Sequence, residues 1–341
     1  MNSRRFALPL AVAALVVASS LPSAEAAAPS LPRLVLPRTA EVQLLDSQHR
    51  PQPIPVGLLL DVLRADDGYY WTGRGWVLQA EVVALDEAVA HFTAAIASKP
   101  STFSYVARAR AHVQLGAAQE AAADCRAALK LNSDYAPAYT QLGRAQTALK
   151  QTNAAIESLD RAIALDGRSA LAYCCRAQAR QAMGDSGTAL ADFDRAIELD
   201  RHLVTAYFHR AGLHTQRGDE PAALTDLNEV LLWQPDHFLA LNNRGNIFAR
   251  REEWERAITD YSAALKVAVK PDILLNRSHA LRGLRRLREA IADCNEAIRL
   301  APDSTVALRQ RAALLMEAGR QEEANIDLQA AERLASADNR T

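Results

Sequence analysis

The chain has 341 residues, of which 49% are hydrophobic and only 6% aromatic, and its formal net charge is −1. This balance gives no support to binding of nucleic acid or of an anionic membrane surface. Alanine supplies much of the hydrophobic fraction, which favours closely packed helices over a large aromatic core.

The first 26 residues have the parts of a secretory signal peptide. Arg4 and Arg5 precede an apolar run over residues 6–18, and the sequence A-E-A ending at Ala26 forms a cleavage site. The run is shorter than the ~20 residues that a membrane span needs. We therefore expect cleavage after Ala26 and an exported protein, periplasmic or secreted, without an integral membrane segment. The Pro-rich residues 27–40 predict a linker.

Residues 41–85 predict a small β module. The short runs VQLL, VGLLLDVL, YYWT and GWVLQ are separated by the turn sequences RPQP, DDG and GRG. The stretch DGYYWTGRGWVLQAEVV resembles the closing half of a bacterial SH3-like domain, and this resemblance implies a small all-β barrel. Trp71 and Trp76 then either form a ligand platform or fill the core of a very small domain. Both interpretations stay open.

A 34-residue frame organises the rest of the chain. Its units are 102–135, 136–169, 170–203, 204–237, 238–270, 271–304 and 305–338. Position 20 is alanine in every unit, position 8 is always small, and position 24 carries a mid-sized apolar residue. Small residues at these positions allow two antiparallel helices to approach closely. Gly116, Gly184 and Gly218, all at position 15, predict left-handed residues that end the first helix of their units.

This pattern resembles the tetratricopeptide repeat (TPR) family over residues 102–338. The resemblance implies an all-α solenoid, a right-handed superhelix of helix hairpins, preceded by the small SH3-like barrel. Residues 86–101 match the second helix of a further unit, so we expect a capping helix there.

An arginine occupies position 7 and an aspartate position 23 in six of the seven units. The unit 136–169 lacks both and has Leu142 and Ser158 instead. The joint loss indicates that each arginine pairs with the aspartate of its own unit, because an arginine fork can bond a carboxylate through two hydrogen bonds. The alternative, that these arginines bind a ligand, leaves the matched aspartates unexplained. The predicted pairs are Arg108–Asp124, Arg176–Asp192, Arg210–Asp226, Arg244–Asp260, Arg277–Asp293 and Arg311–Asp327.

The sequence contains no recognisable catalytic chemistry. The eight histidines show no metal-ligand spacing, and no phosphate-binding loop, nucleophile motif or paired carboxylates appear. The frame keeps the cysteines too far apart for bridging, and the adjacent pair is also expected to stay reduced. We therefore predict free thiols at Cys125, Cys174, Cys175 and Cys294, no cofactor or metal, and no enzymatic activity.

The TPR resemblance also implies a binding surface. In this family the first helices line a concave groove that binds extended peptides, largely through positions 2, 5, 9 and 12. The groove candidates are Phe103, Val106, Arg110, Thr140, Arg144, Gln178, Phe208, Asn242, Asn246, Asn276, His279, Arg282 and Arg309. Asn246 and Asn276 match the asparagines of the carboxylate clamp that some family members have. The clamp is disfavoured because its basic partners are replaced by Asn242, Val306 and Gln310.

Two functions remain in competition at this stage. The first is a non-catalytic exported scaffold whose groove binds an extended protein segment of unknown identity. The alternative is a cell-envelope binder in which the β module contacts peptidoglycan or another wall ligand and the repeats act as a spacer.

Overall fold

The computed structural model describes residues 34–39, 41–46, 50–54, 60–62, 64–66, 69–72 and 74–338. The predicted signal peptide and the first part of the predicted linker lie outside these residues.

The N-terminal part of the described chain forms two antiparallel sheets of short strands. The strands are β1 (Leu34–Pro37), β2 (Gln43–Leu45), β3 (Pro51–Pro53), β4 (Leu60–Asp61), β5 (Arg64–Asp66), β6 (Tyr69–Trp71), β7 (Trp76–Leu78) and β8 (Val82–Ala84). One sheet has the order β4-β1-β8 and the other the order β3-β2-β7-β6-β5. Their buried residues, among them Val35, Leu44, Leu60 and Val77, form one hydrophobic cluster. We call residues 34–84 the β region.

Strand β1 lies inside the stretch that the sequence predicts as a linker. It pairs with β8, and Val35 and Leu36 are 0% and 1% exposed. The prolines around β1 indicated a linker because only the local composition was considered. The strand that pairs with β1 is β8, which lies far along the chain, so the local composition does not reveal the pairing. The β region therefore begins before residue 41. Within it, Trp71 and Trp76 lie opposite each other in the register of β6 and β7, and Trp76 is half-buried.

Fifteen helices follow in the described chain. Helix α1 (Leu85–Ser98) comes first, in the place of the expected capping helix. Seven first helices begin at the residues where the sequence units begin: α2 (Thr102–Gln114), α4 (Ala136–Ala148), α6 (Ala170–Ala182), α8 (Val204–Gln216), α10 (Phe238–Arg250), α12 (Pro271–Gly283) and α14 (Thr305–Glu317). The second helices are α3 (Ala118–Leu131), α5 (Thr152–Leu165), α7 (Ser186–Leu199), α9 (Glu220–Trp233), α11 (Trp254–Val267), α13 (Leu287–Leu300) and α15 (Gln321–Asp338).

Small residues at position 8 allow the two helices of a hairpin to touch. A Cβ on Gly143 would lie 2.5 Å from the Cγ of Leu159, and one on Gly245 would lie 2.7 Å from the Cε1 of Tyr261. Both partners are at position 24 and are at most 1% exposed. At these two positions the absence of a Cβ therefore leaves room for the side chain at position 24.

The β region contacts the helices at two separate places. Leu36 and Val83 pack in one cluster with Phe92 of α1. Arg74 donates hydrogen bonds of 2.8 Å to the Oδ2 of Asp200 and to the carbonyl of His202, in the turn between α7 and α8. The second contact joins residues more than a hundred positions apart, and no sequence pattern indicates it.

Every residue at position 15 has a left-handed backbone. Gly116, Gly184, Gly218 and Gly319 have φ between 77° and 83°, as predicted for three of them. The same position carries a residue other than glycine in the remaining units, where Lys150, Glu252 and Arg285 have φ of 58–59°.

Replacing Lys150 with Gly is expected to stabilise the protein. A left-handed residue with a Cβ costs about 1–2 kcal/mol, and part of the gain is offset by the freedom of glycine in the unfolded chain. We expect a net increase of about 0.5–1 kcal/mol in the free energy of unfolding, measured by chemical denaturation. The reverse change, Gly184→Lys, should lower it by a similar amount, because a Cβ there meets no atom within 4 Å and only the backbone is strained. Equal stability of all three proteins would contradict this explanation.

Candidate binding surface

The first helices form the inner surface of the solenoid. Successive first helices lie against one another in the pairs α2–α4, α4–α6, α6–α8, α10–α12 and α12–α14. Successive second helices of the described chain make no comparable contact. The closer spacing of the first helices places them on the inside of the curve.

The arginines at position 7 and the aspartates at position 23 form an arginine–aspartate ladder of six pairs. In each pair the arginine Nε and Nη2 donate to the two carboxylate oxygens, at 2.6–2.9 Å. All six predicted pairs are present. The aspartates are only 2–6% exposed, so each bridge joins the two helices of one hairpin in a largely buried place.

The same arginines also join neighbouring hairpins, which the sequence analysis missed. The Nη1 of Arg176 donates to Asp160 at 2.7 Å, and the Nη1 of Arg210 donates to Asp194 at 2.7 Å. These acceptors are at position 25 of the preceding unit. The other four ladder arginines bond Thr93, Asn228, Ser262 and Asn295 at the equivalent position.

The unit 136–169 replaces the ladder with a neutral contact. Ser158 donates its hydroxyl hydrogen to the Oε1 of Gln146 at 2.8 Å. Position 25 of the preceding unit is Arg126, where other units have an acceptor. Leu142 has no hydrogen-bond donor, so position 25 of the preceding unit needs no acceptor. The simultaneous loss of the donor and the acceptor was the sequence signal that could have predicted the contacts between hairpins.

Several predicted groove residues are occupied in packing. Val106 is 0% exposed and packs with Ala128 and Ala138, so it offers no surface to a ligand. Thr140 is buried at 3% exposure and donates its hydroxyl hydrogen to the carbonyl of its own helix at residue 136. Phe103 packs against Phe92 of the capping helix, with ring centroids 6.1 Å apart.

The asparagines that suggested a clamp are engaged with neighbouring side chains. The Nδ2 of Asn276 donates to the Oδ1 of Asn242 at 3.0 Å, and Asn246 accepts a hydrogen bond of 2.7 Å from the Tyr261 hydroxyl. Arg282 forms an ion pair with Glu317. These side chains of the inner surface thus already have hydrogen-bond or ion-pair partners within the protein.

The remaining candidates are accessible to different degrees. His279 and Arg309 are exposed, and Gln178 and Arg144 are half-buried. Phe208 is also half-buried and lies 4.8 Å, centroid to centroid, from His237. Arg110 is 8% exposed. The accessible residues are spread over several units and do not gather at one point.

The four cysteines are free thiols in buried places. Burial raises the pKa of Cys125 to about 12 and the pKa of Cys175 to about 11. Burial also raises the pKa of Cys294 to about 11, against a smaller opposing effect of its hydrogen bond with Ser278. A thiol with such a pKa is protonated at neutral pH and therefore a poor nucleophile.

We expect the native protein to resist thiol reagents. At pH 8 without reductant, an alkylating reagent should modify no cysteine rapidly in the folded state and four after denaturation, counted by mass spectrometry. Fewer than four modified cysteines after denaturation would reveal a disulfide and contradict the free-thiol structure.

Two observations concern other functions. Within the described residues, no helix is long and apolar enough to cross a lipid bilayer. In the same part of the chain, no cluster of three or more His, Cys, Asp or Glu side chains is placed to hold a metal ion.

Comparisons with known proteins agree with the repeat architecture. Two sequence profiles described as tetratricopeptide repeat match the chain, one over residues 104–135, 136–168 and 271–304 and the other over residues 176–232 and 222–273. No curated protein matches the chain.

Solved structures share the fold at low sequence identity. A structure described as the APC/C hetero-tetramer Cut9-Hcn1 aligns with a TM-score of 0.59 and 17% identity, covering 74% of this chain and 50% of that chain. The chain thus spans half the length of that neighbour. PilF of Pseudomonas aeruginosa aligns with a TM-score of 0.53 and 18% identity, covering 58% of this chain and 91% of that chain. With the repeat frame, the helix hairpins and the profile matches together, the chain belongs to the tetratricopeptide repeat family.

Proposed function

We propose that this protein is a non-catalytic, exported scaffold that binds an extended protein segment on its inner surface. The proposal rests on the separation of two sets of side chains on the first helices: those of the arginine–aspartate ladder, which hold the helices together, and the accessible residues of the inner surface. The arginine–aspartate ladder links the two helices of six of the seven hairpins and joins each of them to the helix that precedes it, and the accessible inner residues, such as Gln178 and His279, take no part in it. TPR proteins bind protein or peptide partners, and this surface is the counterpart of their binding surface.

The charge of the inner surface also supports a protein partner. Helices α2, α4, α6, α8 and α10 contain no Asp or Glu at all. The acids of these units lie on the second helices or in the turns between helices. In these five units, first helices that carry basic and other donor side chains without acids favour a segment that brings acceptors or negative charge.

Site-specific photo-crosslinking in the native host tests the proposal. A photoreactive residue at Gln178, on α6, should capture a protein, and mass spectrometry should place the crosslink in one continuous segment of it. The matched control is Ala191, which is exposed on α7 of the same unit. Capture at Ala191 but not at Gln178, or capture at neither position, would refute groove binding.

Export has its own test. The first 26 residues, with their charged start and apolar run, motivate this part of the proposal. Protein purified from the native host should begin at Ala27 in N-terminal sequencing. Recovery of the intact N-terminus in the cytosolic fraction would contradict export.

A second candidate function uses the β region. The tryptophans of β6 and β7 lie opposite each other in register, an arrangement that suits a flat ligand platform. In this alternative the β region contacts peptidoglycan or another wall ligand. Deletion of residues 34–84 would then abolish retention in the cell envelope, while groove binding alone predicts unchanged capture at Gln178 in the deleted protein.

A further inference from the structure

Equivalent residues of the inner surface are not equally exposed along the solenoid. Position 2 is one of the predicted groove positions and is the second residue of each first helix. At this position the residues of the first three units are half-buried, whereas those of the four later units are exposed. In chain order they are Phe103, Pro137 and Leu171, followed by Thr205, Leu239, Asp272 and Val306. The exposure of this surface therefore changes between α6 and α8.

The size of the side chain does not explain the change. Leu171 and Leu239 are the same residue at the same position, yet the first is half-buried and the second is 43% exposed. Packing within the solenoid contributes to the burial of Leu171, which contacts the cluster that contains Leu159 and Cys175. A second contribution is needed for the pattern as a whole, because it divides the units into two consecutive groups.

The β region adjoins the beginning of the inner surface. Leu36 and Val83 share one cluster with Phe92 of α1 and with Phe103 and Ala107 of α2. Phe92 is at position 24 of the incomplete first unit, and in complete units a residue at this position packs against the first helix of its own hairpin. The β region thus takes the place of a first helix before α2.

A second contact joins the β region to the solenoid three units further along. Arg74, between β6 and β7, donates to the Oδ2 of Asp200 and to the carbonyl of His202, both at 2.8 Å. These two acceptors lie in the turn that leads into α8, where the exposure of position 2 changes. The half-buried residues at the starts of α2, α4 and α6 therefore lie between the two places where the β region is attached.

We propose that the β region is an internal cover of the inner surface, which the extended segment displaces to reach the first three units. The inference rests on the proposed function, because it states how the segment gains access to its binding surface. In the closed state, the first helices α8, α10, α12 and α14 are open to the segment and the earlier ones are covered.

The two attachments differ in how readily they open. The side chains of Arg74 and Asp200 are 24% and 22% exposed, and ion pairs that water reaches contribute little to stability. Leu36, Val83 and Phe92 are at most 2% exposed, and separating them would return apolar surface to water. The cover therefore opens at Arg74 and stays attached at α1.

Thiol labelling of the full chain tests the cover without any ligand. Leu171→Cys and Leu239→Cys each add one thiol at position 2, and the four native thiols are buried. A maleimide should label residue 171 more slowly than residue 239. Arg74→Glu should speed labelling at residue 171 by about fivefold, because an attraction to Asp200 becomes a repulsion. The rate at residue 239 should not change.

Aspartates at the same position of two units provide a matched control. Asp200 and Asp166 each accept a hydrogen bond from the backbone N–H two residues later, and Asn can accept the same bond. Only Asp200 is paired with Arg74. Asp200→Asn should therefore speed labelling at residue 171, whereas Asp166→Asn should leave the rate unchanged.

Three results would overturn the cover. The first is an equal labelling rate at residues 171 and 239 in the unmodified background. The second is a rate at residue 171 that neither Arg74→Glu nor Asp200→Asn changes, since packing within the solenoid would then account for the whole burial. The third is an equal acceleration at residue 239, which would indicate a general loosening of the repeats.

Capture of a partner separates this inference from the proposed function. Arg74→Glu should increase the yield of the segment crosslinked at Gln178, because less work is needed to displace the cover. Capture with the same yield in both proteins would show that the segment does not compete with the β region and would overturn the inference alone. Capture in neither protein would reject the scaffold function, while the labelling rates still decide whether the β region covers the inner surface.

Discussion

Replacing Arg210 with Leu is expected to lower the free energy of unfolding by about 3–5 kcal/mol. The change leaves the carboxylate of Asp226, which is 2% exposed, without its cation and without two hydrogen bonds. It also removes the bond to Asp194 in the preceding unit, although that aspartate is exposed and water can replace the lost donor. Chemical denaturation followed by circular dichroism measures the loss.

The double variant should be far less damaged than the sum of the single changes. Asp226→Ser alone leaves Arg210 paired with Asp194, so we expect it to cost less than Arg210→Leu. Together the two changes recreate the Leu and Ser that the unit 136–169 already has at these positions. The double-mutant cycle should therefore give a large favourable coupling energy. Additive single effects would show that the pair does not act as a unit, and a loss of ligand binding without a loss of stability would assign Arg210 to the ligand.

Replacing Phe193 with Ala is expected to cost about 3–5 kcal/mol in the free energy of unfolding. Phe193 is at position 24, is 0% exposed, and fills the contact between α6 and α7 beside Ala177. The cavity left by its ring cannot be filled by small neighbours. Denaturant unfolding measures the effect, and hydrogen exchange should show faster opening centred on this hairpin.

Phe208 provides the matched control for Phe193. It is a phenylalanine of the inner surface, half-buried rather than fully buried, and it contacts the rings of His209 and His237. Phe208→Ala should therefore cost clearly less stability than Phe193→Ala and should weaken binding of the captured segment. Equal losses of stability would place Phe208 in the core and remove it from the binding surface.

The repeats explain why so much of the helical architecture follows from one sequence. The seven units form the same helix hairpin from different sequences, so the residues at each position can be compared between units. The joint absence of arginine and aspartate in the unit 136–169 was enough to predict the pairing. The glycines at position 15 predicted the left-handed helix ends. Lys150 has the same conformation because the hairpin geometry requires it, but a lysine at this position does not indicate a left-handed backbone.

The features that the sequence did not predict are of two kinds. Some depend on contacts that are not repeated from unit to unit, and others depend on how deeply a side chain is buried. Strand β1 and the contact of Arg74 with Asp200 join distant segments that have no repeat to reveal them. Val106 is at a groove position of the frame, but it is buried in the core, where it packs against Ala128 and Ala138.

The measurement that most directly tests the central claim is hydrogen–deuterium exchange of the full chain with and without the segment captured at Gln178. Binding on the inner surface predicts slower exchange in first helices of several successive units, including α4, α6 and α8, with little change in the second helices. Slower exchange confined to the β region, or to the second helices, would contradict the assignment of the inner surface as the binding site.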